Sequence, residues 1–446
     1  MKRWIGALIC LFCLNILNAK TITDYKLTPD DFFLSQTLPP LNHQESEFEL
    51  NRADFINFSP NVEINSDIAG NQFHPSTVYD AQRQIWHAVW WFRNGNGTVN
   101  QIYYSKSTDE GGTWSVNERV DNSPIGAEYP CITLDGQGRP VVAWADYRNG
   151  GKDIYVSTLT AGSWSSAVKI NYGRTHVAHS PNLIFNSNLN LLVAAWTNGA
   201  GLSDIYTSTS ADAVIWAFHK RANDNLGYMP MASDPRMTVD QGGNIYLVFT
   251  GWGGHASSGR FPDVYFTKST DGGKTWMSPQ VRMNIRTDFY QQDPDIAVDN
   301  DGNLYAVWED NWEYFVMLRI CLAKSTDGGL NWTNQNVDDG PLGFSSRMYP
   351  RIILNDSRLD VAWGLDDRNG SQDVYFTSSY DSAGHWSANQ RINDEQYNVI
   401  NGKIALVGNQ GDIYCIWHEY HGNNDVLYNL ILSKGVLQYF PPKSTY

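Results

Sequence analysis

Short apolar runs of strand length alternate with polar, turn-rich stretches along most of the chain, and the alternation is periodic. A proline followed by an apolar run recurs at Pro75, Pro130, Pro181, Pro235, Pro294 and Pro350, at spacings of 55, 51, 54, 59 and 56 residues, and Gly402 takes the same place 52 residues later. Each run is followed by a polar turn, as in Asp135-Gly136-Gln137-Gly138 or Asp240-Gln241-Gly242-Gly243. A second apolar run then ends at Trp90, Trp144, Trp196, Phe249, Trp308, Trp363 or Trp417. A third reads Asp-Ile-Tyr or Asp-Val-Tyr at Asp153, Asp204, Asp263 and Asp373, and a last turn leads to short outer strands such as Val168-Lys169-Ile170-Asn171 and Val281-Arg282-Met283-Asn284. Four short strands joined by turns describe a propeller blade. Seven copies predict an all-β, seven-bladed β-propeller of four-stranded antiparallel blades.

Asn61 to Asn65 precedes the first full repeat and has the form of an outer strand. It is expected to complete the last blade and remove the exposed edges, with 425–432 and 436–440 as competitors for that place. The repeat-bearing segment is 61–446, and residues 20–60 lack the repeat and read as an N-terminal extension. Residues 1–19 hold Lys2 and Arg3, an apolar run from Ile5 to Leu17 and a small residue at Ala19, which is the pattern of a signal peptide. The expected location is therefore secreted or periplasmic, with no membrane insertion once the signal is removed.

Composition narrows the classes further. Hydrophobic residues make up 42% of the chain and charged residues 18%, so a large core is available and disorder is excluded. The net charge of −15 becomes −17 when Lys2 and Arg3 leave with the signal, which argues against nucleic acid as a partner. Cys131, Cys321 and Cys415 remain, an odd number in apolar runs. They read as buried free thiols, with a Cys131–Cys415 bridge as the alternative.

The turn before each outer strand carries a resemblance. Ser107 to Trp114 (STDEGGTW) and Ser269 to Trp276 (STDGGKTW) fit Ser-x-Asp-x-Gly-x-Thr-Trp, and Ser325 to Trp332 (STDGGLNW) fits with Asn331 in the threonine place. Ser379 to Trp386 keeps Ser379, Asp381 and Trp386, Ser157 to Trp164 has lost the aspartate, and the 209–216 copy is shifted. These are similar to the Asp-box (BNR) repeat, and the chain resembles the sialidase-superfamily propellers over residues 60–446. The resemblance implies that Asp109, Asp271 and Asp327 have a folding role, on the face away from any pocket. It makes a six-bladed sialidase-type propeller the alternative architecture. It does not carry over the sialidase catalytic set. The first arginine of that set sits in an Arg-Ile-Pro motif where this chain has Phe73-His74-Pro75, and Arg236 and Arg351 lie two repeats apart, not in the family's order.

Candidate chemistry comes from positions that differ between repeats. The residue after the inner-strand proline reads Ser76, Cys131, Asn182, Arg236, Asp295, Arg351 and, after Gly402, Lys403. Equivalent positions of successive blades ring one mouth of the channel, so Arg236, Asp295, Arg351 and Lys403 are expected to form a polar arc. Arginine's planar fork suits a carboxylate or sulfate, and an internal Arg–Asp–Arg network that closes the channel is the competing reading. Trp252, in Gly251 to His255, and Glu309, in Trp308 to Glu313, join Arg236, Arg351 and Lys403 as ligand-binding candidates, because a sugar site needs Trp rings beside carboxylates and amides. The run Trp417-His418-Glu419-Tyr420-His421 is a further loop candidate. Asp295, His179 (in Tyr172 to His179) and Tyr349 are the catalytic candidates.

Together these features predict a protein that binds an acidic oligosaccharide or glycoconjugate at one end of the channel, and as an enzyme cleaves it as a sialidase-like hydrolase or polyuronate lyase. A non-catalytic propeller that binds glycans or proteins is the other class. No metal motif or cofactor motif is present, and the expected state is a monomer.

Overall fold

A computed structural model describes residues 55–438, apart from 66–69, 95–98, 173–176, 200–201, 225–230, 253–260, 288, 314–316, 341–345, 369–370, 395–397, 400–402 and 421–427. The signal-peptide and extension readings (residues 1–54), the loop residues Arg174, His176, His255 and Arg260, and His421 lie outside the described residues. Residues 54–446 form one compact unit.

The chain is a seven-bladed β-propeller, as the repeat predicts. Six blades are built from successive strands, for example Met231–Val239, Ile245–Trp252, Pro262–Ser269 and Val281–Arg282 in blade 4. Blade 7 is assembled from both ends of the chain. Its innermost strand includes Ala405–Asn409, followed by Asp412–Tyr420 and Tyr428–Gln438, and the outer edge of the last is covered by Val62–Glu63 and Phe55–Phe58. Segment 61–65 therefore closes the ring through Val62 and Glu63. Phe55–Phe58, read from sequence as extension, belongs to the same sheet and pairs with Gly435 to Gln438. A parallel bridge, Asn71 with Tyr428, links blade 7 to blade 1.

The hydrophobic core is divided into slabs between neighbouring blades. Trp196, Leu183 and Leu192 of blade 3 pack on Val141, Ile154 and Ile170 of blade 2, and Trp90 and Trp86 of blade 1 pack on Tyr414, Ile416 and Leu432 of blade 7. The aromatic that ends each second strand is 0–1% exposed in every blade. Because each indole or phenyl fills space between two sheets, its burial joins blades to one another rather than stabilising one blade alone.

Two sequence motifs turn out to be halves of one bracket. Asn171, Asn223, Asn284 and Asn393 end the outer strands of blades 2, 3, 4 and 6. Each accepts a backbone N–H from Ile154, Ile205, Val264 or Val374 and donates to Asp153, Asp204, Asp263 or Asp373, at 2.7–3.0 Å. The Asp-Ile-Tyr signature exists to meet that asparagine. Asp146 and Asp366 do comparable work at the 2–3 loops: each is gripped by Arg148 or Arg368 at 2.6 Å and accepts the indole N–H of Trp144 or Trp363 at 2.9 Å.

The Ser-x-Asp turns are self-contained. Asp271 accepts from the hydroxyls of Ser269 (2.8 Å) and Thr275 (2.7 Å) and from the backbone N–H groups of Lys274 and Thr275. Asp109 and Asp327 repeat the pattern. The copy that looked shifted, at 209–216, forms the same turn one residue shorter, with Ser210, Asp212 and Trp216 in the key places. The three cysteines are buried and free, and no bridge joins Cys131 to Cys415.

Candidate functional site

The prolines do not open the innermost strands, as the sequence reading had them; they interrupt them. In blades 1 to 6 the register of the innermost strand shifts at the proline, between Phe73 and Ser76, Glu128 and Cys131, His179 and Asn182, Ser233 and Arg236, Gln292 and Asp295, and Met348 and Arg351. The innermost strand is a sheet edge facing the channel, where a residue without an N–H is tolerated at a bulge. The residue before each proline (His74, Tyr129, Ser180, Asp234, Asp293, Tyr349) has φ between 50° and 58°. Six non-glycine residues in the left-handed region, all at one level, mark a repeated strain. The bulges fall part-way along the strands, so the ring of variable residues lies inside the channel rather than at its rim.

That ring lines a cavity of about 190 Å³. Ser76, Cys131, Asn182, Arg236, Asp295, Arg351 and Lys403 all face it, together with His74, Tyr129, Ser180 and Asp234. The post-proline positions divide into two kinds. Ser76, Asn182 and Asp295, in odd blades, accept the backbone N–H of Ile132, Met237 and Ile352 in the next blade, at 2.9–3.3 Å, and so brace neighbouring innermost strands. Arg236, Arg351 and Lys403 have no such bond. Among the described residues no carboxylate comes within 4.0 Å of their charged groups. Arg351 donates to the carbonyl of Pro350 at 2.7 Å, and Lys403 lies 5.7 Å from the ring centre of Tyr349. Elsewhere the pattern is reversed, with Arg148, Arg319, Arg347, Arg358 and Arg368 all ion-paired to aspartates.

The electrostatics follow from this crowding. Burial, reinforced by the neighbouring Arg236, pulls Arg351 down to about 10. Burial holds His74 well below the ordinary imidazole value, with Lys403, His418 and the two arginines acting in the same direction, so its ring is neutral. Burial opposes ionisation of Asp234, but Lys403 and a Ser233 hydrogen bond keep it below the usual carboxylate value. Asp293 is raised by burial, against the pull of Lys403, and by the charge on Asp234.

The structure disperses the other sequence candidates. Glu309 is fully buried; its Oε1 accepts from the backbone N–H of Tyr349 at 2.7 Å and its Oε2 from Gln292 Nε2 at 3.0 Å. Thr197 and Thr250 hold the matching bond to Asp234 and Asp293 at 3.2 Å, so Glu309 occupies a bracing position and supports Tyr349 from behind. Burial and Asp293 push it up to about 8. Trp308 and Trp417 are also buried, with His418 and Glu419; these runs face inward instead of presenting rings to a sugar. Trp252 ends the second strand of blade 4, edge-on to Tyr290 at 6.0 Å and outside the cavity lining. His179, bonded to the Ser180 hydroxyl at 3.1 Å, is lowered by burial despite the charge of Asp234. Among the described residues no three His, Cys, Asp or Glu side chains gather as a metal site.

His74, Tyr129, Asp234 and Asp293 were missed. Their signal was available, since a proline inside a strand implies a bulge, and a bulge re-aims the residue before it.

No known family profile matches the chain, and no curated protein sequence does. Solved structures do. An ulvan lyase bound to a glucuronate–sulfated rhamnose ligand superposes with a TM-score of 0.58 at 11% identity, covering 83% of this chain and 95% of that one. A protein of unknown function from Dyadobacter fermentans gives 0.56 at 14% identity, covering 86% and 99%. A Hadza microbial sialidase gives 0.50 at 13% identity, covering 86% and 96%. At such identities the likeness is one of fold, and the fold is that of the sialidase-like propellers. No helix among the described residues is long and apolar enough to cross a membrane.

Proposed function

We propose that the channel cavity binds the anionic group of an acidic sugar, the carboxylate of a uronate or sialic acid, at the terminus or within reach of the channel in an exported monomeric protein. The observation that carries this reading is the set of three cations, Arg236, Arg351 and Lys403, which outnumber Asp234 and Asp295 in one cavity lining and, among the described residues, have no carboxylate within 4.0 Å. Buried guanidinium groups without a close ion pair are unfavourable; the carboxylates around them act only at longer range, and a bound planar carboxylate would supply a bidentate partner. The cavity has room for about one sugar ring. The glycan-acting neighbours of the same fold and the signal-like residues 1–19 fit an extracellular carbohydrate partner. Titration of the protein with glucuronate, galacturonate, sialic acid and glucose, followed by calorimetry or ligand NMR, tests it. Binding of the acids but not glucose is expected; equal binding of glucose sinks it.

A β-elimination reading is favoured by one further contact. His74 is kept neutral and meets Tyr129 edge-on at 4.9 Å, both in the cavity wall. In that reading the arginines hold the uronate carboxylate and His74 takes the proton at C5. The pair from that C–H forms the C4–C5 double bond, the C4–O bond breaks, and the Tyr129 phenol, raised to about 12 by burial and Glu128, protonates the leaving oxygen. Incubation with polyuronates, read by the ultraviolet absorbance of the unsaturated product, decides it; no absorbance with intact binding leaves a binder.

A further inference from the structure

The outer rim between blades 2 and 3 carries a second arrangement that the channel does not use. Phe218 is 68% exposed and Tyr172 is 48% exposed, yet neither ring stands alone. Tyr172 follows the outer strand of blade 2, and Phe218 and His219 lead into the outer strand Lys220–Arg221 of blade 3. The Phe218 ring lies 4.6 Å from that of His219 and 5.9 Å from that of Tyr172, with planes 21° and 14° apart, and Tyr172 and His219 are within 16° of parallel. The backbone N–H of Tyr172 donates to His219 Nδ1 at 3.3 Å. His219 in turn meets Tyr206 and the buried Trp196 edge-on, at 4.9 and 6.0 Å, which ties the layer to the core between the blades. Lys220 and Arg221 are exposed beside it, and Arg221 makes a long, half-exposed ion pair with Asp204 at 3.8 Å.

A flat ring backed by two others loses little conformational freedom when a ligand stacks on it, and the C–H face of a sugar is the ligand that such a ring accepts. Two adjacent cations on a chain of net charge −15 give the surface a preference for acidic polymers.

We infer that this rim is a second glycan-binding surface, a platform in which Phe218 stacks on a sugar ring while Lys220 and Arg221 meet the carboxylate or sulfate of an acidic polysaccharide strand. It takes its ligand class from the channel reading. It lies three strand spacings, about 14 Å, from the innermost strand, so a single sugar cannot touch both sites and a polymer can. Engagement at two points raises the retention of a polymer without changing the affinity for a monosaccharide.

Native electrophoresis of the full chain through gels holding polygalacturonate, chondroitin sulfate or neutral arabinan tests it, alongside titration with galacturonate. The wild type should be retarded by the two acidic polymers and not by arabinan. Phe218→Ala, and independently Lys220→Ala with Arg221→Ala, should weaken retardation about tenfold and leave galacturonate binding unchanged; circular dichroism confirms the fold. Arg351→Ala should do the opposite, losing galacturonate while keeping residual retardation. Phe218→Ala retarded as strongly as wild type, arabinan retarding as well as the acidic polymers, or no retardation of the wild type by any polymer overturns the platform. Loss of galacturonate binding in none of the variants overturns the channel reading instead.

Discussion

In the last turn of blade 4, Asp271 gathers four hydrogen bonds from residues within four positions of itself. On the channel side of the same blade, Arg236 lines a shared cavity, and among the described residues no carboxylate lies within 4.0 Å of its guanidinium. Both are charged side chains in equivalent repeats, but the first kind recurs in blades 1, 4 and 5 with its partners, and the second changes identity from Cys131 to Asn182 to Arg236 around the ring. Local closure makes a charge cheap to keep and repeatable: the Thr113 hydroxyl and the bonds around it pull Asp109 down to about 2, and Asp271 reaches about 2 although burial opposes it. The channel offers no such closure: Arg236, Arg351 and Lys403 share the longer-range field of Asp234, Asp293 and Asp295 around the ring.

Four substitutions test that contrast. The largest effect should come from a repeated core position: Trp363→Ala leaves a void between blades 5 and 6 and should cost about 3–5 kcal/mol of stability, read by denaturant unfolding. A loss confined to ligand binding would mean the tryptophan is not scaffold. Arg351→Ala should reverse the readouts, with acidic-sugar affinity falling about 30- to 5,000-fold, equivalent to about 2–5 kcal/mol, and the melting temperature little changed, because relief of the repulsion from Arg236 is offset by the lost attraction of Asp295, Asp293 and Glu309. Earlier melting with unaltered binding would make the arc a structural plug. Asp271→Ala should lower stability by about 1–2 kcal/mol without touching binding, and lost binding with normal melting would turn the turn into a site.

The smallest effect concerns pH. Burial and Asp293 raise Glu309 to about 8, above its value in the unfolded chain, so its contribution to stability is complete below the unfolded value of about 4.5. It is lost as pH climbs through 8. Glu309→Gln should therefore flatten thermal stability over pH 5–9 relative to wild type, which should decline across that window; parallel curves would remove the carboxyl from the account.

The fold was legible because the signal repeats. Seven inner runs, seven aromatic-ended second runs and the Asp-Ile-Tyr segments each report the same geometry, and an error in one copy is corrected by the others. The site was legible only in part. Arg236, Asp295, Arg351 and Lys403 were brought together by phase alone. Asp295 lines the cavity and also accepts the N–H of Ile352, a second role that depends on strand spacing across a blade boundary. Glu309 was a ligand-binding candidate in a polar run; it is buried and accepts the N–H of Tyr349, which sits at the bulge of the next blade. Apolar periodicity records which face of a strand is buried; it does not record where a bulge rotates that face.

Blade 7 has a kinetic meaning beyond its geometry. Ser433 Oγ donates to the carbonyl of Ser59 at 3.0 Å, across 374 positions of sequence, and Val62 and Phe58 pair with Leu432 and Gly435 of one and the same distant strand. Six blades can form as the chain emerges, each from residues close in sequence, but the seventh waits for Tyr428–Gln438. Until then Trp86 and Trp90 of blade 1 lack the slab they pack against. Among the described residues the seam joins the positions farthest apart in sequence, which makes it slow to form, and a chain without Tyr428–Gln438 would lose the closure that holds the other six blades in a ring, not one blade in seven.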